Sequence, residues 1–335
     1  MHDSTLVVSD TGQNRVCIWN DFRSDRHQPV DIVLGQSAIQ ETGRNAGAEV
    51  HAASLQYPSG VWTNGQMLIL ADAWNHRVLI WRQMPSRHGQ PADVVVGQPD
   101  FSSNQPNVGG LLQKPSEKSL YWPYGVWSNG HELWIADTGN RRVLYFDQVP
   151  AHSFAAATAV IGQASMLEKE YNPDYAIWPY SVKVSPQGAM LITDTQYNRA
   201  LLWTHWTNGL ARPADIIIGQ KDLQQNGQNQ YGLTPQAHTL NWCYDACFLV
   251  KGVAIADTGN SRIMAWNTQP ELSGMPADWL LGQSDFTVNG ESSLSMKTGG
   301  ITEMYWPFAI NYCEASLLVA DTGNHHILIY KNVTI

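Results

Sequence analysis

An aspartate recurs along this chain as Asp10, Asp72, Asp137, Asp194, Asp257 and Asp321, at intervals of 62, 65, 57, 63 and 64 residues. Each copy carries companions at fixed distances. Five residues on stand Arg15, Arg77, Arg142, Arg199 and Arg262, with His326 in the sixth copy. Nine residues on stand Trp19, Trp81, Phe146, Trp203, Trp266 and Tyr330. An asparagine fills position three or four every time: Asn14, Asn75, Asn140, Asn198, Asn260, Asn324. In five copies a Gly-Gln pair follows after 25 residues, beginning at Gly35, Gly97, Gly162, Gly219 and Gly282. About fifteen residues before the aspartate stands an aromatic, mostly followed by proline: Tyr57, Trp122, Trp178, Trp242 and Trp306. Self-similarity at such a period means stacked supersecondary units, each burying its apolar face against the next.

Between these marks lie short apolar runs such as "MLILA", "RVLIW" and "DVVVG". Runs of this length bounded by Gly, Asn, Asp and Pro read as strands buried on both faces. Each copy then has four strands: a after the aromatic-proline pair, b before the aspartate, c ending at the ninth-position aromatic, d ending at Gly-Gln. Four-stranded sheets stacked face to face around an axis make an all-β, six-bladed β-propeller. The expectation is one domain over 1–335, with units near 1–36, 57–98, 122–163, 178–220, 242–283 and 306–335.

The segments "YPSGV" with "ADAWNHRVLIW", "WPYGV" with "ADTGNRRVLYF", and "ADTGNHHILIY" resemble the NHL-repeat family, over essentially the whole chain. The resemblance implies the propeller. It does not select an activity, because NHL-like propellers include RNA binders, protein-interaction modules and metal-dependent amidating lyases.

A single "IADTGNRRVLYF" could pass for an active-site signature, but six copies make it a building device. Asp137 and Arg142 would face each other across a b–c hairpin, and Thr-Gly-Asn would supply the positive φ values of the turn. The ninth-position aromatics would pack between blades.

The balance of 20 basic against 29 acidic residues, a formal charge of -9, works against general phosphate-backbone binding. RNA binding therefore ranks third among the functional readings, and the charge argues against nucleic acid as a partner. The first residues, "MHDSTLVVSD", have no basic n-region with an apolar core, and no uncharged apolar run reaches membrane-span length, so a cytoplasmic protein without membrane contact is expected. Cys17, Cys243, Cys247 and Cys313 form no metal-type pairs and are expected as free thiols.

Alternating strands put the b–c turns, the starts of the a strands and the d–a connections at one end of each blade. Those connections are long: 37–56, 99–121, 164–177, 221–241 and 284–305. Loops beyond about 12–15 residues usually carry function or disorder. At the same end the aromatics Tyr57, Trp122, Tyr124, Trp178, Tyr180, Trp242, Tyr244, Trp306 and Phe308 would form a collar at the channel mouth. The first reading is thus a non-enzymatic scaffold that takes a protein or peptide on its loop-rich face, with no cofactor. The alternative is a metal-dependent lyase or hydrolase holding a divalent cation in the axial channel. The inner-strand candidates for that metal are Asp245 and Asn311. They fall far short of the 6–8 oxygens calcium takes, and no inner-strand histidine matches the zinc ligands of the amidating lyases. Asp245 lies in an irregular inner strand, "NWCYDAC", where Cys243 and Cys247, about 13 Å apart on one strand face, cannot bridge.

Counting strands leaves a seam. The first copy begins at strand b and the last ends after strand c, giving 22 strands. The expectation is that blade six packs directly on blade one; alternatively residues precede Met1, or a partner or second copy supplies a strand to an open edge.

Overall fold

The computed structural model describes residues 1–22, 28–290 and 304–334, so much of the last d–a connection (291–303) and Ile335 lie outside the described residues. The described chain holds 22 strands in two compact units, Met1–Tyr171 and Asn172–Ile335. The first unit has three antiparallel sheets: β1 (Leu6–Asp10), β2 (Arg15–Trp19), β3 (Ile32–Leu34); β4 (Pro58–Thr63), β5 (Leu68–Asp72), β6 (Arg77–Trp81), β7 (Val94–Val96); and β8 (Pro123–Ser128), β9 (Leu133–Asp137), β10 (Arg142–Phe146), β11 (Ala159–Ile161). The second has three more: β12 (Pro179–Val184), β13 (Met190–Asp194), β14 (Arg199–Trp203), β15 (Ile216–Ile218); β16 (Cys243–Phe248), β17 (Val253–Asp257), β18 (Arg262–Trp266), β19 (Trp279–Leu281); and β20 (Pro307–Cys313), β21 (Ser316–Asp321), β22 (His326–Tyr330). Every sheet is a meander in chain order, and together they are the blades of a six-bladed β-propeller. Among the described residues the first sheet has no inner strand and the last no outer strand, as the strand count predicts.

The b and c strands of the complete sheets are buried along their whole length, as in β5, β6, β9 and β10. Both faces of such a sheet are covered, so the sequence reads as an apolar run rather than an alternation. Ile69, Val78 and Ile80 of one sheet interlock with Ile135 and Leu144 of the next. Leu191, Leu202 and Ile218 meet Ile255 and Met264 in the same way. The buried ninth-position tryptophans satisfy their one donor: the Nε1–H groups of Trp81, Trp203 and Trp266 donate to the carbonyls of Gln90, Arg212 and Met275 at 3.1, 3.2 and 3.1 Å.

The hairpin pairs Arg142 opposite Asp137, and Arg142 Nε donates to Asp137 Oδ2 at 2.7 Å with both side chains fully buried. Asn140 and the Tyr121 N–H donate to the same carboxylate. Burial pushes the Asp137 carboxyl up, and the Arg142 guanidinium opposes it. The turn itself differs from the expectation. Thr138–Asn140 is a 3-10 segment, and the left-handed residue is the next one, Arg141 at φ 53°. His76, Asn198 and Ser261 take that place in other copies. Gly139 is needed for space instead: a Cβ there would lie 2.5 Å from the Tyr121 ring.

Each complete inner strand also carries a bulge directly after its first residue, shifting register between Pro123 and Gly125, Pro179 and Ser181, and Cys243 and Asp245. An extra residue reverses the alternation beyond it. Cys243 therefore packs with Leu240 and Met264 on one side of its sheet, whereas Cys247 packs with Ile310 and Val319 on the other. The two thiols are held apart by opposite faces, not by distance along one face as the plain strand pattern suggested, and all four cysteines are unpaired.

Candidate binding face

Each d–a connection starts from a staple. The glycine of Gly-Gln has positive φ, 91° at Gly97 and 92° at Gly219, and a Cβ there would run into Leu120 and Leu240. The glutamine then folds back. Gln98 Nε2 donates to the His76 and Gln105 carbonyls at 3.0 and 2.9 Å, and Gln220 Nε2 to those of Asn198 and Gly227 at 3.2 and 2.8 Å. The repeat arginines complete the anchoring. Arg77 Nη1 reaches the Phe101 carbonyl at 2.8 Å and Nη2 the His51 and Ser54 carbonyls at 3.0 and 2.9 Å, so one guanidinium ties the connections on both sides of its blade. Arg262 does the same with Phe286, Gln236 and Thr239.

Three connections share a further element that sequence reasoning missed, although Asn45, Asn107 and Asn229 each stand ten residues after the Gly-Gln glycine. Asn45, Asn107 and Asn229 each exchange side-chain amide hydrogen bonds with the turn asparagines Asn75, Asn140 and Asn260. The signal was legible as Ser-Leu, Ser-Leu and Thr-Leu at 54–55, 119–120 and 239–240, two residues before the repeat aromatic. The bases of these loops are therefore framework, and their tips are exposed. Leu112 and Leu233 are fully exposed, Leu111 and Tyr231 are exposed beside them in sequence, and Leu167 and Tyr171 are exposed in the connection 164–177.

The collar residues fall into two tiers. Tyr57, Trp122, Trp242 and Trp306 stand in left-handed backbone, at φ 54°, 50°, 47° and 52°. A side chain of the neighbouring hairpin fixes each amide: Asn14 Oδ1 accepts from Tyr57 N–H at 3.1 Å, His76 Nδ1 from Trp122 at 3.1 Å, and Asn198 Oδ1 from Trp242 at 2.8 Å. Non-glycine residues in this region are strained, and the surrounding structure has to hold them there. Held so, Trp242 and Trp306 remain 50% and 42% exposed, and Tyr57 stacks on Trp74, a turn residue sequence reasoning passed over, at 4.8 Å between centroids. Trp178 keeps ordinary φ and is half-buried. The second tier consists of the bulge residues. Tyr180, Tyr244 and Phe308 pack in a row at 4.7 and 4.3 Å between centroids, and Tyr124 meets Tyr57 edge-on at 6.4 Å.

The metal candidates are arranged differently. Asp245 is buried; its Oδ1 accepts from the Ala246 N–H at 2.9 Å and its Oδ2 from the Ile310 N–H at 3.0 Å. Lys183 Nζ lies 3.4 Å from Oδ1. Asp245 thus ties three inner strands together and has its oxygens engaged by N–H donors, while Asn311 is exposed on β20. Among the described residues no group of three His, Cys, Asp or Glu side chains could hold a metal ion. This donor set does not fit a calcium or zinc centre.

No protein-family model and no curated protein matches the sequence. Solved structures do match in fold. The chain is similar to Kuenenia stuttgartiensis hydrazine synthase at 11% identity and a TM-score of 0.52, over 99% of this chain and 93% of that one. It is also similar to the computationally designed Ika8 protein at 7% identity and a TM-score of 0.46, over 99% of this chain and 69% of that one. At such identities the likeness to the synthase concerns the propeller fold alone. Among the described residues no helix is long and apolar enough to cross a membrane.

Proposed function

We propose that this protein is a non-enzymatic, NHL-type propeller of the cytoplasm that binds a protein or peptide partner through the loop-rich ends of its blades. The observation that carries the reading is the contrast inside the d–a connections. Their bases are stapled by Gln, Arg and Asn side chains, while their tips present large leucines and tyrosines to solvent. Large apolar side chains held out on rigid bases suit an anchor-in-pocket interface, where a few aromatic or aliphatic residues carry most of the affinity. The exposed Trp242 and Trp306 add rigid aromatic surface at the same end of their blades.

The test replaces only tips, since the loop bases belong to the core. Two variants, L111S/L112S and L233S, should fold with the wild-type melting temperature. Each should lose proteins that the wild-type chain recovers from its native host. Recovery of the same set by both variants would refute the assignment of this face.

A further inference from the structure

The turn between β8 and β9 carries an asparagine followed by glycine, Asn129-Gly130. Such a pair can react with itself: the backbone nitrogen of the second residue attacks the side-chain amide of the first, held beside it by the chain, and glycine leaves the approach clear. In this turn the amide is already polarised. Asn129 Oδ1 accepts the His131 and Glu132 N–H groups at 3.0 and 2.8 Å, so two fixed donors face the oxygen on which charge builds as the nitrogen attacks.

The second sheet supplies a comparison, since the turn between β4 and β5 holds Asn64-Gly65. Asn64 Oδ1 accepts the Gln66 and Met67 N–H groups at 3.1 and 2.9 Å. The Gly65 and Gly130 N–H groups donate alike to the Thr63 and Ser128 hydroxyls, at 3.0 and 2.9 Å. Two things separate the turns. Asn129 and Gly130 are exposed, whereas Asn64 and Gly65 are half-buried. A Cβ at Gly65 would lie 2.9 Å from the His2 ring, while at Gly130 it would meet only Asn64 Nδ2, at 3.6 Å. Ring closure requires the peptide between the pair to turn, and of the two turns the one at Gly130 has room for it. Elsewhere in the chain, Asn208 and Asn226 precede buried glycines, and Asn289-Gly290 borders residues outside the described ones.

We propose that Asn129 is a site of spontaneous deamidation, and that its product loosens this corner of the third sheet. The Gly130 nitrogen bonds to Cγ, the Cγ–Nδ2 bond breaks, and Nδ2 leaves as ammonia with the proton that Gly130 gives up. Water then opens the succinimide at either carbonyl, leaving aspartate or isoaspartate at position 129. The consequence follows from what Nδ2 now does. It donates to Glu132 Oε2 at 2.6 Å, and Glu132 Oε1 accepts the Tyr145 hydroxyl. Tyr145 in turn packs on Trp134 at 5.1 Å between centroids. After conversion the donor facing Glu132 is a second carboxylate, and two such charges in one place repel. Glu132 swings away and Tyr145 loses its acceptor. The turn lies at the end of its blade opposite the d–a connections, so this site and the binding face can each fail alone.

The experiment ages the purified full chain in warm, mildly alkaline buffer and follows conversion at positions 129 and 64 by peptide mapping and mass spectrometry. Asn129 should convert about tenfold faster than Asn64. His2→Ala, which uncovers Gly65, should narrow that gap. The consequence is read separately from urea midpoints: Asn129→Asp should lower the midpoint of the wild type and leave that of Glu132→Gln nearly unchanged, because the repulsion needs both carboxylates. Conversion at Asn129 no faster than at Asn64 would overturn the site. An equal drop in midpoint with and without the Glu132 carboxylate would overturn its consequence.

Discussion

His76 couples a collar residue to pH. Its ring is buried, and burial lowers its pKa from the ordinary 6.5 to about 4. The neutral ring has work to do, since Nδ1 accepts the Trp122 N–H at 3.1 Å and so holds Trp122 in left-handed backbone. Tyr121 lies edge-on to the imidazole at 5.4 Å. Because the folded pKa is depressed, the unfolded chain binds the proton first as pH falls through 6.5. Stability present above that value is lost progressively toward pH 4 and then levels off. At 1.36 kcal/mol per pKa unit the loss reaches about 2 kcal/mol by pH 5 and about 3 kcal/mol below pH 4. His76→Asn isolates the effect, since asparagine serves the same purpose in Asn14 and Asn198. The assay is urea unfolding of both proteins at pH 7.5 and pH 5. Other ionisable groups cancel in the difference, so the wild type should lose about 2 kcal/mol more than H76N. Equal losses would refute both the buried neutral state and its link to Trp122.

Two further predictions use the repeat as its own control. Arg142→Met strands a fully buried Asp137 and should cost about 3–5 kcal/mol. Arg15→Met opens a half-exposed pair and should cost about 1 kcal/mol or less, read from urea midpoints; similar costs would mean the pairing is incidental. Gly139→Ala forces a Cβ against the Tyr121 ring and should cost about 1–3 kcal/mol. Gly12→Ala, at the same place in the first copy, meets nothing within 4 Å and should stay within about 0.5 kcal/mol. Melting temperatures of the two alanine variants check the contrast.

The blades were legible because period, burial and pairing all repeat. An aspartate and an arginine, such as Asp137 and Arg142, sit five apart in five of the six hairpins, and only one register puts them opposite. The Gly-Gln spacing was legible as a mark but not as a reason. Its meaning lies in a leucine more than twenty residues away, Leu120 against Gly97, and periodicity alone does not show which distant side chain fills the space over a glycine. The collar was found as a set of positions, but its division into two tiers was hidden by the bulge. One extra residue in each inner strand turns Tyr244 toward Tyr180 and Phe308 and leaves Trp242 outward. The same bulge put Cys243 and Cys247 on opposite faces, which strict alternation had placed together.

The sixth copy departs from the others where its edge is open. In the complete copies one arginine holds both its hairpin aspartate and the connection that follows its own outer strand, Arg77 to Phe101 and Arg262 to Phe286. His326 stands there in the last copy, opposite Asp321, and an imidazole lacks the length and the fork to reach a loop beyond an outer strand. The sixth hairpin thus keeps the Asn324–Asp321 contact of the other copies but has no guanidinium to tie it to a following connection. Arg142→His in a complete copy should therefore cost the loop ties to Met166, Ser116 and Ser119 as well as the aspartate pair, and should lower the urea midpoint more than Arg15→Met does.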